Sequence, residues 1–347
     1  MRDLPNLDLL RAIAVLSVVA EHLLLAFGVQ TIGYWQIRWM GVVGVFLFFV
    51  HTSLVLMWSL ERKPHTLDFY IRRVFRIYPL AMVTVLVTVG LHAPVSGSAM
   101  SYFHYAAPPS LANLLASLLL IPNLVGNYQP VSVLWSLPYE VDMYVCLPLL
   151  FFFLQRNLSL PPLLVFWGLE IAVCRPLFPG ATHNFLLAVP YFLPGVMAYV
   201  LFSRHRARLP AWLFLPGLLL LWAVFMVHPG WREGDVLCLA AGLGLPLFRQ
   251  IRTGWLKRVS HEIAKYSYGM YLAHPFAIVL GVYLLPHRSL VLQLLVTLGS
   301  VAVLSVSSYY LLERPLMRVG SRVAQRAERA FEQREFGKTR IPEAEIQ

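Results

Sequence analysis

Residues 7–27 read LDLLRAIAVLSVVAEHLLLAF, an apolar stretch that contains an arginine, Arg11, and a histidine, His22. About 20 apolar residues cross the ~30 Å hydrocarbon core of a bilayer, so this stretch is long enough to span a membrane. The eleven-residue spacing places Arg11 and His22 about 20° apart around a helix and about 16 Å apart along its axis. Ionisable residues inside a span typically mark a transport path, a proton relay or a catalytic site.

The composition of the whole chain agrees with a membrane protein. Of the 347 residues, 58% are hydrophobic and only 13% are charged, whereas soluble domains average about 25% charged residues. Several further stretches approach spanning length. They are continuously apolar rather than alternating, which disfavours a β-barrel. The sequence therefore predicts an all-α fold, a polytopic transmembrane helical bundle.

Basic residues predict how the bundle is oriented. They cluster at alternate connections, whereas residues 92–131 contain no lysine or arginine. Because cytoplasmic loops carry the excess of basic residues, this pattern predicts about ten spans with both termini cytoplasmic. The net charge of +11 belongs to these loops, so a nucleic-acid partner is not expected. The predicted spans are 8–28, 39–60, 77–92, 139–155, 162–176, 184–202, 211–228, 235–249, 267–285 and 290–312.

Two segments outside these spans have their own predictions. Residues 111–122 are apolar but short, so we expect a re-entrant or interfacial helix inside an outer segment, residues 93–138. A boundary charge pair of Glu313 and Arg314, followed by Pro315, is expected to end the last span. The domain organisation is then one transmembrane domain, residues 1–318, and a polar cytoplasmic tail, residues 319–347.

The three cysteines give no sign of a metal site. All of them fall in or beside apolar stretches, where small packing residues are common. We therefore expect neither a disulfide framework nor a bound metal.

Paired arginines open the third span. Arg73 and Arg76 are three residues apart and share a helix face. Two guanidinium groups on one face suit a ligand with several phosphates. Basic residues at this position also anchor spans at the membrane surface, and we assign Arg72 to that role.

Acidic residues provide candidate partners for His22. Glu140 and Asp142 begin the fourth span, where the helix dipole favours acids, and Glu140 is also placed to orient His22. Glu21 adjoins His22 in the chain, but consecutive helical residues point about 100° apart, so we expect it to be the poorer partner. His274 lies among tyrosines within a later span, where a lone histidine is more often structural than catalytic.

Six segments in this order resemble the membrane acyltransferase-3 family, bacterial integral-membrane enzymes that O-acylate sugars, polysaccharides and some small molecules. The resemblance extends from about residue 6 to residue 318. The segments are LDLLRAIAVLSVVAEH (7–22), GVFLFFVHTSLV (44–55), FYIRRVFRIYPL (69–80), VLWSLPYEVDMYVCLPLL (133–150), YSYGMYLAHP (266–275) and YYLLERPLMR (309–318).

The resemblance implies roles for particular residues. His22 matches the histidine, and Arg11 the arginine, that the family requires in its first span. Glu140 matches the acid of the fourth-span motif, and with His22 it forms our predicted catalytic pair. The predicted substrate-binding residues are Arg11, Arg73, Arg76, Trp135, Ser136, Ser267, Tyr268 and His274.

The resemblance also implies a reaction. It predicts transfer of an acyl group, most simply acetyl, from acyl-coenzyme A (acyl-CoA) on the cytoplasmic side to a hydroxyl of a carbohydrate or glycolipid acceptor. No permanently bound cofactor is expected, and the bilayer is that of the bacterial inner membrane. Two routes stay open: His22 acts as general base, or it carries the acyl group transiently. A proton-coupled transporter of a small solute is the alternative class, because buried Arg, His and Glu residues serve carriers equally well.

Overall fold

A computed structural model describes residues 4–91, 109–125, 129–156, 159–177, 185–204, 207–252 and 254–339. Helices dominate these residues, and the regular strands among them are two, β1 (Thr31–Ile32) and β2 (Trp35–Gln36), which form a short antiparallel hairpin. The predicted all-α class is confirmed. The helices are α1 (Pro5–Ala26), α2 (Arg38–Arg62), α3 (Thr66–Gly90), α4 (Leu111–Leu118), α5 (Pro122–Val125), α6 (Leu137–Arg156), α7 (Leu160–Leu169), α8 (Arg175–Leu177), α9 (Phe185–Arg204), α10 (Phe214–Val227), α11 (Trp231–Gly244), α12 (Trp255–Ile278), α13 (Leu290–Ser308) and α14 (Arg314–Thr339).

Several of these helices have the length and apolarity of membrane spans. Within the described residues, five qualify, and two further apolar helices, Leu160–Val173 and Ala211–Val227, are shorter. The chain is thus a helical protein with the character of a multi-pass membrane protein. The number of ten spans and the cytoplasmic side of the termini stay predictions. The five long spans are Pro5–Ala26, Arg38–Arg62, Thr66–Gly90, Ser132–Gln155 and Leu290–Ala330.

Two helices begin earlier than the sequence predicted. The third span was expected from residue 77, but α3 starts at Thr66, because Phe69, Ile77 and Leu80 continue one buried stripe. The paired arginines therefore lie within a helix rather than in front of one. Likewise α12 starts at Trp255, well before the expected residue 267.

The helix of the last span continues past Glu313, Arg314 and Pro315, where the sequence predicted that the span ends; the residue at which the span leaves the membrane stays a prediction. A π-helical turn, Tyr309–Glu313, joins α13 directly to α14. Pro315 is the second residue of α14, next to this turn, where the hydrogen-bond pattern has already been shifted and the missing N–H costs less. The helix therefore continues into the polar segment.

The first part of the predicted tail packs against α3. Arg72 Nη1 donates to Ser321 Oγ at 3.0 Å, and Lys63 Nζ lies 2.9 Å from Glu328 Oε2. The side chain of Phe75 fills the space beside Gly320. The tail is helical as far as Thr339, and its end, residues 340–347, lies outside the described residues.

A short helix occupies part of the predicted outer segment. α4 begins after Ser110, whose Oγ accepts from the N–H of Asn113 at 3.2 Å and caps the helix. The predicted short helix at 111–122 is thus present, while its position at the membrane surface stays a prediction. Residues 92–108 and 126–128 of the outer segment lie outside the described residues.

Helix α1 packs on both α2 and α12. Gly44 lets α2 approach the carbonyl of Ala14 so closely that a Cβ atom there would overlap it. Through this packing α1 carries Arg11 and His22 into the interior, against the face of α12 that contains His274.

Candidate active site

A cavity of about 120 Å³ lies among α1, α2, α3, α6 and α12. Arg11, Arg73 and Arg76 line it, together with the carboxyl group of Glu140. Three guanidinium groups facing one carboxyl group give this lining an excess of positive charge. Paired guanidinium groups of this kind bind phosphate well. Other lining residues are His51, Ser136, Tyr144, Ser267, Tyr268 and Tyr271.

Consecutive arginines of α3 have different surroundings. Arg72 Nε and Nη2 donate to the buried carboxylate of Asp68 at 2.7 and 3.0 Å, while its role as an anchor at the membrane surface stays a prediction. The Nε of Arg73 is buried and makes no hydrogen bond within the described residues, and its guanidinium group lies 5.8 Å from the ring centroid of Phe69. Arg73 therefore keeps donors for a ligand.

Arg76 is held between α12 and the π-helical turn. Its Nη1 lies 3.5 Å from Oε2 of Glu313, a side chain that is 2% exposed. Its Cζ atom lies 5.9 Å from the ring centroid of Tyr268, and Tyr268 donates to the carbonyl of Ile77 at 2.6 Å. The charge pair expected of Glu313 thus forms with Arg76 rather than with Arg314.

Glu140 and Arg11 lie on opposite helices of the cavity. The hydroxyl of Tyr144 donates to Glu140 Oε1 at 2.5 Å. Arg11 lines the same cavity, and its Nε is buried without a hydrogen bond among the described residues. Glu140 therefore takes part in the charge balance of the arginines.

His22 and His274 form a pair of imidazoles. Their ring centroids are 4.8 Å apart, with 65° between the planes. Nδ1 of His22 lies 2.9 Å from the carbonyl of Val18, and Nδ1 of His274 lies 3.2 Å from that of Met270. Because a carbonyl only accepts, each Nδ1 carries the hydrogen and each Nε2 of the neutral ring carries the lone pair; this tautomer is assigned from the partners.

Glu21 contacts His22, contrary to the expectation that it is the poorer partner. Its Oε2 lies 3.0 Å from Nδ1 of His22. Although neighbouring residues leave a helix in different directions, the Glu21 side chain is long enough to fold back to the ring. Gly41 of α2 provides the space, because a Cβ atom there would overlap the carboxylate.

Tyr271 lies between the cavity and the histidine pair. It lines the cavity, which His22 and His274 do not, and its ring centroid is 6.1 Å from that of His274. Its hydroxyl donates to the carbonyl of Val133 at 2.5 Å, and therefore accepts from Ser136 Oγ at 2.8 Å. Tyr271 was not among the predicted site residues, although Tyr268, Tyr271 and His274 recur at three-residue spacing on one helix face.

Not every predicted residue reaches the cavity. Ser136, Ser267 and Tyr268 line it, and Ser267 Oγ donates to the carbonyl of Ala264 at 2.8 Å. Trp135 belongs instead to an aromatic cluster, with ring centroids 6.2 Å from Trp231, 6.3 Å from Tyr139 and 6.5 Å from Phe49. Within the described part of the chain, no group of three His, Cys, Asp or Glu side chains is arranged to hold a metal ion.

Fold and site together define a helical membrane protein with an arginine-lined cavity beside a histidine pair. Residues 4–312 match the family described as acyltransferase domain, and the chain belongs to that family.

Curated relatives are similar over part of their length. The chain is 29% identical to acyltransferase MdmB of Streptomyces mycarofaciens over 52% of this chain and 49% of that protein. It is 30% identical to the putative peptidoglycan O-acetyltransferase YrhL of Bacillus subtilis (strain 168), over 43% of this chain and 24% of that protein. The chain is 27% identical to peptidoglycan O-acetyltransferase OatA of Listeria monocytogenes, over 46% of this chain and 26% of that protein. The chain thus matches half or less of the length of these relatives, and no solved structure matches it.

Proposed function

We propose that this protein is an integral-membrane O-acyltransferase of the bacterial inner membrane. It moves an acyl group, most simply acetyl, from acyl-CoA at the cytoplasmic face to a hydroxyl of a carbohydrate or glycosylated acceptor. Membership of the acyltransferase family supports the reaction type. Two of the relatives are named peptidoglycan O-acetyltransferases, which supports an O-linked acceptor.

One observation carries the proposal: α1 and α12 each contribute to both the cavity and the histidine pair. On α1 these residues are Arg11 and His22; on α12 they are Tyr268 and His274. The two helices pack against each other. A ligand held by the arginines therefore has a base within one helix length of it, about 16 Å along α1.

The arginines would bind the phosphates of the donor. Arg73 and Arg11 have buried Nε donors without a hydrogen bond among the described residues, and Arg76 is fixed by Glu313. Charge-assisted bonds from guanidinium groups to phosphate are among the strong hydrogen bonds of proteins. The thioester arm would then extend past Tyr271 toward the histidine pair.

His22 would act as general base through Nε2. The acceptor hydroxyl loses its proton to Nε2 while its oxygen attacks the thioester carbonyl carbon. The C–O bond forms, the C–S bond breaks, and the imidazolium returns the proton to the departing sulfur of coenzyme A. Glu21 fixes the ring through Nδ1 and stabilises the imidazolium. Such proton transfer is typically worth about 10²–10⁴ in rate.

An acyl-histidine relay is the second route to the same products. Nε2 of His22 would attack the thioester and release the thiol, and the acceptor hydroxyl would then take the acyl group from the ring. Single-turnover mixing of labelled acyl-CoA with the enzyme distinguishes the routes. Label that stays on the protein without acceptor, and leaves when acceptor is added, indicates the relay.

The test of the function is an assay with the purified protein in detergent or nanodiscs. Labelled acetyl-CoA and a carbohydrate acceptor are added, and we expect label on the acceptor hydroxyl. The same protein in proteoliposomes is tested for solute uptake. If the protein takes up solute and transfers no acyl group with any of a panel of acyl donors and sugar acceptors, the proposal is contradicted. The protein would then be a transporter.

A further inference from the structure

A second cavity, apolar and open along one side, lies at the other side of α1. Its volume is about 400 Å³. It lies between α10 and α11, and its base includes Leu10 of α1. Leu220 and Val224 on its wall are 65% and 60% exposed, so in a membrane this groove faces lipid chains. Leu209, Gly244 and Phe248 also line the groove.

Two arginines flank one end of the groove. Leu209 and Phe248 form a β-bridge there, with the N–H of Arg249 donating to the carbonyl of Leu209 at 2.9 Å. The N–H of Arg208 donates to the carbonyl of Leu247, also at 2.9 Å. Both arginine side chains are exposed, and neither forms an ion pair with an acid among the residues that the structure describes.

The backbone at this end is fixed rather than loose. Asn6, which is 1% exposed, donates from Nδ2 to the carbonyl of Arg249 at 3.1 Å. Its Oδ1 accepts from the N–H of Ile251 at 3.1 Å. The arginines are therefore presented at a set position relative to the groove.

An exposed tryptophan marks the same level of the bundle. Trp212, three residues after Leu209, is 71% exposed. Tryptophan is enriched where the hydrocarbon core meets the headgroups. The end of the groove with Arg208 and Arg249 thus has the composition of a membrane–water boundary, and the apolar part extends from it into the hydrocarbon.

We propose that this groove is a binding site for an anionic phospholipid. One acyl chain lies along the apolar wall between α10 and α11, and the headgroup phosphate contacts Arg208 and Arg249. Two exposed cations beside an apolar groove complement a ligand that has a negative head and an apolar tail; basic pockets between helices bind anionic headgroups in this way. This site is separate from the arginine-lined cavity of α3 and does not depend on the proposed reaction.

The binding test uses the purified full-length protein in neutral detergent with fluorescent phosphatidylglycerol or phosphatidylcholine. We expect tighter binding of phosphatidylglycerol. Arg208→Gln together with Arg249→Gln should weaken that binding by about fivefold for each arginine, roughly 25-fold in all, and leave the binding of phosphatidylcholine unchanged. The matched control is Arg318→Gln with Arg322→Gln, which removes two exposed charges from α14.

A second variant tests the groove without changing any charge. Gly244 has helical φ and ψ, and a Cβ atom built there meets no atom within 4 Å. Gly244→Leu should therefore fold and occupy the groove, weakening binding of both lipids. Gly299→Leu is the control, because Gly299 of α13 also has open space around its Cβ position.

Three outcomes would overturn the proposal. One is equal affinity of the wild-type protein for the two lipids. Another is an equal loss of binding in the α14 control and in the groove arginine variant. The third is unchanged lipid binding by Gly244→Leu.

Discussion

The imidazole rings of His22 and His274 meet edge to face, 4.8 Å apart, although 252 positions separate them in the chain. Each ring donates from Nδ1 to a carbonyl of its own helix, so both present Nε2 as the acceptor nitrogen. The packing of α1 on α12 thus creates a basic site deep in an apolar bundle.

His22→Ala tests the base directly. We expect acyl transfer to fall by about 10²–10⁴, because the acceptor hydroxyl loses its proton acceptor. The measurement is the initial rate with labelled acetyl-CoA, alongside the thermal unfolding midpoint. His287→Ala, an exposed histidine in a turn, is the control. Wild-type rates in His22→Ala would remove this ring from the mechanism.

Replacing Arg73 and Arg76 tests the phosphate site. Arg73→Gln with Arg76→Gln should raise the dissociation constant of acetyl-CoA by about a hundredfold or more, because two charge-assisted bonds to phosphate are lost, at roughly 1.5–3 kcal/mol each. Isothermal titration calorimetry of the purified protein with acetyl-CoA measures this dissociation constant. An unchanged dissociation constant would refute the phosphate site.

Arg72→Gln is the matched variant on the same helix. It leaves the carboxylate of Asp68, which is 3% exposed, without its bidentate partner. We expect a loss of about 1–3 kcal/mol in the free energy of unfolding, with donor affinity unchanged. Lys63 Nζ, 3.8 Å from Asp68 Oδ1, should keep the loss toward the lower end of that range. Weaker donor binding here would place Arg72 in the ligand site.

The two candidate acids make different predictions for catalysis. A carboxylate 3.0 Å from Nδ1 of His22 stabilises the imidazolium that forms when the ring takes the proton of the acceptor hydroxyl. Glu21→Gln should therefore slow acyl transfer by about tenfold or more, because a hydrogen bond to a charged group contributes about 1.5–3 kcal/mol, while the dissociation constant of acetyl-CoA stays unchanged.

Glu140→Gln should alter donor affinity instead, because Glu140 lies among the arginines. The transfer rates and the acetyl-CoA dissociation constants of both variants and the wild type decide between the acids. Slower transfer in Glu140→Gln with unchanged donor affinity, together with a wild-type rate in Glu21→Gln, would restore Glu140 as the residue that orients His22.

Gly41→Ala perturbs the same acid without changing its charge. The added methyl group overlaps the Glu21 carboxylate and should push it away from His22. We expect slower acyl transfer, as in Glu21→Gln, and a loss of about 1–3 kcal/mol in the free energy of unfolding from overpacking. Gly168→Ala, where a Cβ atom has open space, should change neither quantity.

Tyr271 and Ser136 should be energetically coupled. A double-mutant cycle of Tyr271→Phe and Ser136→Ala measures the 2.8 Å hydrogen bond between them. We expect a coupling of about 1 kcal/mol in the free energy of unfolding. The rate of acyl transfer should fall in Tyr271→Phe. The dissociation constant of acetyl-CoA should stay unchanged, because Tyr271 lies between the arginines and the histidine pair. A coupling of zero would show that this bond is not formed in the folded protein.

The helical class, the family and several site residues were predictable from the sequence. Continuous apolar stretches indicate helices by length alone, and the ordered motifs indicated the family that the match over residues 4–312 confirms. The spacing of Arg73 and Arg76 on one helix face also needed no tertiary information, since it follows from 3.6 residues per turn.

Helix ends were less predictable. The sequence suggested that Pro315 stops the last span, whereas the π-helical turn before it lets the helix continue. Likewise α12 begins twelve residues before the predicted start, because membrane hydropathy registers only the apolar part of a helix. A polar helical extension has no such signal.

By itself, the sequence determined the apolar spans, the family and the positions of ionisable groups along each helix, because these depend on local composition and helical period. Only the tertiary structure decided that Glu21 contacts His22, that His274 faces that ring, and that Tyr271 lies between them and the arginines. Those contacts depend on how helices that are distant in the chain rotate and pack against each other. The sequence of a single helix does not specify which neighbouring helix its face will contact.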